Sequence, residues 1–510
     1  MKKWIARVAL IAVALAMVGT AASYVFVDHE LSKMYGGQTQ VAKADLPDVG
    51  LSSYVLTNVN VLAPSADRFV KAQSVLMDGG KILSVGTTPA LTEETPSIDG
   101  NGMYLVPGFI DSHAHLWESE NDLLLYVANG VTQVRDMNSL PVILRWKADI
   151  ADGRIGPDIF SVAPQFATFG PFEGALVGWT QHKTIVRTED QVKAKVKSYA
   201  TEGYDALKAS SFLSRENYLA LDAAATDNQI PLVGHLPMAI SLDDLWASNQ
   251  SEVAHIEEFV KVLDREFGGY DSETAEDFLN FVRERSNAVA DRMVENSISV
   301  TSTLALIDSF QEQKSDLSGE LRAAALEYEN PGIAEGTVIT SRGIGWLPDV
   351  NIYRWPEEWD AARRARSRIY WQTYSKAQHI LFDAFLSRGV PILVGTDSNV
   401  PVRVPGFSMH EEMVALQAAQ MSPSQILASA TALPARFMKT NTGEIQPGFK
   451  ANLVLLRENP LEDISATDSI EMVILNGRML SRGDLDAMLQ AVRSANDESR
   501  NVPVKSPDPE

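Results

Sequence analysis

An α/β fold, a (β/α)8 TIM-type barrel carrying a small β-sandwich module built from both chain ends, is what this 510-residue sequence predicts. Between residues 106 and 440, short apolar runs alternate with helical stretches, the rhythm of parallel βα units. On either side, at 51–105 and 441–485, apolar and polar residues alternate around tight turns, the pattern of antiparallel strands. No glycine-rich phosphate turn follows the first strand of the βα series, which argues against the runner-up, an open doubly wound sheet. The length suits one large domain and a smaller one.

Taken in order, Lys2, Lys3 and Arg7 precede the apolar stretch Val8 to Val27. A basic start followed by an apolar core is an export pattern, and about 20 such residues also suffice to span a bilayer. Residues 1–27 are therefore read as a signal peptide or, because the run stays apolar through Tyr24 to Val27, an uncleaved membrane anchor with its basic end inside. The expected location is the cell envelope, with the rest of the chain outside the cytoplasm. Residues 28–50, polar with Gly36, Gly37 and Pro47, read as a linker. The module at 51–105 contains YVLTNVNVLAP and SVLMDGGKILSVG; its counterpart at 441–485 contains ANLVLLRENP and SIEMVILNGRML, and the two sets are expected to pair. Residues 486–510, closing on a polar stretch with three prolines, are expected to be disordered.

Eight candidate barrel strands lie between the modules: YLVPGFIDSH, VTQVRDM, PDIFSVAP, YDALKAS, IPLVGHL, EVAHIEE, SISVTST and VPILVGTDS. Catalytic groups of such barrels sit at the C-terminal ends of the strands. Two connections, 257–296 and 306–389, exceed what a simple crossover needs and are read as helical insertions capping the mouth, since structureless loops of that length are rare. Composition is that of an ordinary globular protein, 45% hydrophobic and 22% charged. A net charge of −22 argues against a nucleic-acid partner held by a broad basic surface. The absence of cysteine excludes disulfides, thiolate-held metals and a thiol nucleophile.

The chemistry-bearing residues gather on the strand ends. His113 and His115 stand two apart on the first, so their side chains project the same way and converge. Neutral imidazole is a good ligand for zinc and similar ions; two unrelated histidines are the bland alternative. Of eight histidines in all, His235 and His255 close the fifth and sixth strands, while Lys208 ends the fourth and Asp397 the eighth. A buried lysine beside histidines is costly as an ammonium ion and makes sense if neutralised or modified.

The motifs PGFIDSHAHL, GVTQVRDM, YDALKAS, PLVGHLP, EVAHIEE and GTDS, followed by PGFSMHEEM, ILASATALPARFM and GEIQPGFKANLVLLRENPLEDI, resemble the amidohydrolase superfamily. Within it, they are similar to the imidazolonepropionase-like and prolidase-like metal-dependent peptidases and amidases. The resemblance runs from about Tyr54 to Met479. It implies two divalent ions, zinc in the first place: His113, His115 and Asp397 on one, His235 and His255 on the other, with Lys208 carboxylated on its side-chain nitrogen and bridging them. It also implies a bridging water that loses a proton near neutral pH and attacks the scissile carbonyl, with Asp397 carrying the proton to the leaving amine. The implied reaction is hydrolysis of an amide or peptide C–N bond in a small substrate, a dipeptide or N-acyl amino acid. A cyclic amide or other C–N bond on the same centre is an alternative, and a non-catalytic binding protein that kept the barrel is another.

Weaker candidates complete the set. Asp111 shares the facing of His113 and His115 and is read either as orienting a ligand or as a strand Asp bonded to backbone. Arg403, in the loop after Asp397, is a candidate receiver of a substrate carboxylate, with an exposed loop arginine as the alternative. His410 in SMHEEM is a candidate substrate residue, although no second histidine follows at zincin spacing and a helix-start role is preferred. Arg135 and Asp136 read as a structural ion pair, and His29, His182 and His379 as ordinary histidines.

Overall fold

The computed structural model describes residues 2–46, 53–87, 95–337 and 345–503, with side chains described from residue 17 onward. Residues 47–50 of the expected linker, 338–344 of the second insertion and 504–510 of the expected tail lie outside the described residues. The architecture is mixed α/β, parallel strands of (β/α)8 type with an additional sheet beside them.

Each of the eight candidate segments contains a strand: β1 (Phe109–Ala114), β2 (Val131–Asp136), β3 (Asp158–Ser161), β4 (Leu207–Ala209), β5 (Leu232–Gly234), β6 (Glu252–Val253), β7 (Ser299–Thr301) and β8 (Ile392–Leu393). Parallel ladders join β1 to β2 and β2 to β3, β4 to β5, β6 to β7 and β7 to β8. Single parallel bridges continue the series: Val162 with Ala206, Leu232 with Gln250, and Ala114 with Ser398. Strands this short and apolar are those of a sheet covered on both faces. Their side chains, among them Phe109, Val134, Leu207 and Val300, are fully buried with those of the surrounding helices. Burying each such side chain is worth roughly 1.5–3 kcal/mol. Gly395 lets β8 approach β1, since a Cβ there would stand 2.4 Å from Thr301 Cγ2 and 2.9 Å from the His113 backbone nitrogen.

The additional sheet has eight strands and draws on both chain ends. Tyr104–Pro107 pairs antiparallel with Leu453–Leu456, Leu453 opposite Pro107 and Leu456 opposite Tyr104. The two halves join through this ladder and again through the antiparallel bridge between Lys81 and Lys450; the strands of the expected β-sandwich form one continuous sheet. Its turns at Gly80 and Gly477 lie back to back, and a Cβ on Gly477 would meet the Gly80 Cα at 2.8 Å.

Three further expectations change. The N-terminal helix runs from Lys2 to Met34, so the expected linker is helical over its first seven residues. Leu31, Met34 and Tyr35 are buried with Trp117, Ile333 and Trp346. Among the described residues no helix is long and apolar enough to cross a membrane, while the side chains of 8–16 lie outside the described ones. The expected membrane anchor, the membrane as a partner and the membrane-anchored envelope location do not hold: the last turns of this helix spend their apolar face on the protein. At the other end, Arg482–Ser499 is a helix with a capping box at Ser481 and Asp484, and it buries Leu485, Met488 and Val492 where disorder was expected. In the long connections, helices Ala275–Glu295 and Ala361–Arg388 pack against each other and lead into β7 and β8.

Candidate metal centre

The strand ends converge on Asp397. Its Oδ1 lies 3.4 Å from His113 Nε2 and 3.1 Å from His115 Nε2, and its Oδ2 4.0 Å from His255 Nε2. Ligand atoms of His113, His115 and Asp397 all fall within 4.8 Å of one another. Lys208 Nζ is 3.5 Å from His113 Nε2. The His255 ring sits 4.3 Å from that of His113 and 5.5 Å from that of His235, centroid to centroid. All six candidate side chains therefore lie near one another, although their positions span residues 113 to 397, and among the described residues His113, His115 and Asp397 are the ones whose ligand atoms come within mutual reach.

Other side chains and the backbone set this geometry. Asp111 accepts from the His113 backbone N–H at 3.0 Å and from the Thr396 N–H and Oγ1 at 3.2 and 2.6 Å. It ties β1 to the segment after β8 and so positions His113 through its main chain rather than through an imidazole. His255 Nδ1 is bonded to Thr303 Oγ1 at 3.0 Å and His235 Nδ1 to Ser211 Oγ at 3.3 Å, each fixing a ring orientation. His255, Thr303 and Asp397 have φ of 81°, 49° and 54°. Left-handed backbone in non-glycine residues costs of order 1–3 kcal/mol each and clusters where a site requires it.

Burial keeps His113, His235 and His255 as lone-pair donors. Burial, and after it the charges of His255 and Lys208, holds His113 well below the usual imidazole value; His235 is lowered by burial and then by Lys208 and His255. Burial pushes the Lys208 ammonium down to about 8, against the pull of Asp397 and Glu252. Burial works to raise Asp397, but the charges of His255, His115 and Lys208 outweigh it and hold the carboxyl at about 2. The buried Nδ1 atoms of His113 and His115 have no hydrogen-bond partner. Two imidazole Nε2 atoms aimed with a carboxylate at a common point fit a divalent ion. A single His/His/Asp triad of this kind is present among the described residues.

The centre opens into a cavity of about 660 Å³. His115, Lys208, His235, His255 and Asp397 form its deep end. Val27, Leu31, Met34 and Tyr35 of the N-terminal segment, with Trp117 and Trp179, form an apolar wall. Trp179 belongs to helix Pro171–Thr180, carried on the long loop after β3.

Residues 369–480 match the model of the amidohydrolase family. The structure is similar over most of its length to a bottromycin amidohydrolase, with a TM-score of 0.66, 22% identity, and 92% of this chain and 93% of that one covered. The C-terminal part of the chain thus carries amidohydrolase-family sequence, and the fold as a whole is that of solved amidohydrolases. A Xaa-Pro dipeptidase with methionine bound in its active site gives a TM-score of 0.59 at 16% identity, over 84% of this chain and all of that one. At such identities the likeness speaks to the fold. In sequence, 91 residues are 30% identical to a deacetylase of Agrobacterium fabrum, a stretch of 17% of this chain and 22% of that protein.

Two weaker candidates are corrected. His410 is claimed at both nitrogens, by Thr467 Oγ1 at 3.0 Å and the Asn129 carbonyl at 3.1 Å, and packs edge-on against Phe109. It braces the helix Phe407–Ala418 against the strands. Arg403 pairs with Glu411 at 2.7 Å and does not line the cavity. Arg135 pairs with Glu252 at 2.6 Å, not with Asp136, which accepts from the Leu116 N–H and Ser139. Sequence reasoning missed Thr303, Ser211, Lys183 and Trp179; only Thr303, closing the SISVTST run, carried a positional signal.

Proposed function

We propose that the protein is a metal-dependent hydrolase cleaving an amide or peptide C–N bond in a small substrate, with a dipeptide or N-acyl amino acid favoured. The observation that carries this is the convergence of His113 and His115 Nε2 on Asp397 Oδ1 at the deep end of an open cavity. The closed series of ladders and bridges from β1 to β8 and back supports reading the strands as a (β/α)8 barrel with the centre at its catalytic end.

In this reading His113, His115 and Asp397 hold one ion and His235 and His255 a second. Lys208 joins them after carboxylation. An amine brought toward neutrality by burial is the species that adds to carbon dioxide, releasing a proton and leaving an anionic carbamate where a buried cation stood. When bound, divalent ions polarise the scissile carbonyl and make water acidic enough to act as nucleophile. Asp397, ionised and flanked by imidazoles, takes the proton released in the attack and returns it to the departing amine nitrogen. Thr303 and Ser211 hold the His255 and His235 rings so that Nε2 faces the centre.

Metal analysis of the purified protein, combined with amine release from a panel of dipeptides and N-acyl amino acids, tests the reading. Stoichiometric metal and turnover that a chelator abolishes are expected. Full metal occupancy without turnover on any member of the panel would overturn it in favour of a binding protein.

A further inference from the structure

The whole chain is acidic, yet the cavity is not. Among its lining residues Asp397 is the single carboxylate, facing Lys183 and Lys208 as well as three histidines. Asp397 is engaged by His113 and His115. Lys183 is not engaged in the same way. It follows helix Pro171–Thr180 on the loop after β3, is partly buried, and lies with its ammonium 5.3 Å from the Phe212 ring centroid. No carboxylate partners it among the described residues. Burial lowers its pKa with no acidic neighbour acting against that, and its charge is felt at both Lys208 and His235. A partly desolvated cation without a counter-ion, facing the reaction centre across a cavity, costs stability unless a ligand supplies the anion.

The rest of the wall has the opposite character. Val27, Leu31, Met34, Trp117, Leu176 and Trp179 present apolar surface. Leu31 and Trp117 are themselves packed with Ile333 and Trp346, so the wall is a fixed surface rather than a loose flap. Its contribution from the N-terminal helix closes one side of the mouth.

We propose that Lys183 receives a free carboxylate of the substrate while a bulky apolar side chain of the same substrate seats against the wall built from the N-terminal helix, Trp117 and Trp179. This rests on the hydrolase reading and narrows it to anionic, apolar acyl-amino-acid or dipeptide substrates. The carboxylate replaces the missing counter-ion, and the apolar side chain displaces water from a rigid surface. The scissile bond is then held toward Asp397 from the other end of the substrate.

The test compares N-acetyl-phenylalanine, its C-terminal primary amide and N-acetylglycine on the metal-loaded protein, wild type and with Lys183→Met or Lys183→Arg. Lys183→Met is expected to raise KM for the acid by about tenfold or more, with kcat much less changed and KM for the amide nearly constant. Lys183→Arg keeps the preference for the acid. The phenylalanine compound is expected to have the lower KM of the two acids by about tenfold. Calorimetric titration of the same compounds into an Asp397→Asn protein, with and without Lys183→Met, reads binding independently of turnover. If the acid binds through Lys183 but nothing is hydrolysed by wild type, the hydrolase reading fails and the carboxylate site stands. If acid and amide bind or react alike in wild type, if Lys183→Met weakens both equally, or if no compound binds, the Lys183 assignment is wrong.

Discussion

Two buried polar clusters occupy the same set of strands and are finished differently. Midway along them, Arg135 Nη2 donates to Glu252 Oε1 at 2.6 Å and to Thr301 Oγ1 at 3.0 Å, and Arg135 Nε to the Ser112 carbonyl at 2.5 Å. Glu252 also accepts from Thr301 Oγ1 and the Gly234 N–H. Both carboxylate oxygens are thus matched from within the chain. At the strand ends, His113 and His115 leave Nδ1 without a partner, Lys208 faces an imidazole, and three ligand atoms point at one another's neighbourhood. The first cluster pairs its two charges with each other, leaving one nitrogen, Arg135 Nη1, without a partner, and it rigidifies the fold. The second turns the Nε2 atoms of His113 and His115 and a carboxylate oxygen of Asp397 toward one point, a donor set that a divalent ion would complete, which is the physical mark of a site rather than a strut.

The comparison breaks most sharply at Asp397. Asp397→Asn is expected to lower kcat by about 10²–10⁴, the usual worth of a positioned acid–base group, without unfolding the protein. Near-wild-type kcat in that variant would reduce the strand-end cluster to another strut. Lys208→Ala is expected to weaken metal binding by about 100-fold or more, measured by competition with a chelator, and a short-chain carboxylic acid should partly restore it. Arg135→Met tests the other cluster. It strands Glu252 without its cation and is expected to cost about 3–5 kcal/mol in denaturant unfolding. A loss well below 1 kcal/mol would mean the matched pair contributes little to the fold.

The smallest effect expected is at His410, which belongs to neither cluster. Burial holds its pKa down at about 4, so between pH 6.5 and 4 the unfolded chain binds a proton that the folded chain refuses. Stability is therefore whole above about pH 6.5, declines as pH falls through that window, and stops declining from this source below about 4. The total amounts to about 3 kcal/mol, and His410→Gln should flatten that part of the stability profile measured by urea titration. An unchanged profile would show that the histidine is not held neutral.

Much of this was legible in the sequence because strand-end chemistry leaves a local trace. His113 and His115 share a face by the period of a strand, and each of Lys208, His235, His255 and Asp397 closes a short apolar run. What stayed hidden depends on contacts between distant segments. Glu252, the partner of Arg135, lies 117 positions away, while adjacent Asp136 looked the natural choice. The local pattern around His410 suggested chemistry, but Thr467 and the Asn129 carbonyl, both remote in sequence, take up its nitrogens. The segment Val8 to Val27 read as a membrane element from its composition, and composition does not record that the turns after it are spent on Trp117, Ile333 and Trp346.

The sequence by itself determined which strands exist and which reactive side chains stand at their ends, since hydrophobic periodicity and residue type are local properties. Tertiary structure alone decided the company those side chains keep. It chose the wall that the N-terminal helix builds over the centre, left Lys183 inside the cavity without a counter-ion, and set the left-handed turns at His255, Thr303 and Asp397. Those outcomes come from how segments hundreds of residues apart pack to fill space and satisfy buried charge, and no short stretch of chain encodes that sum.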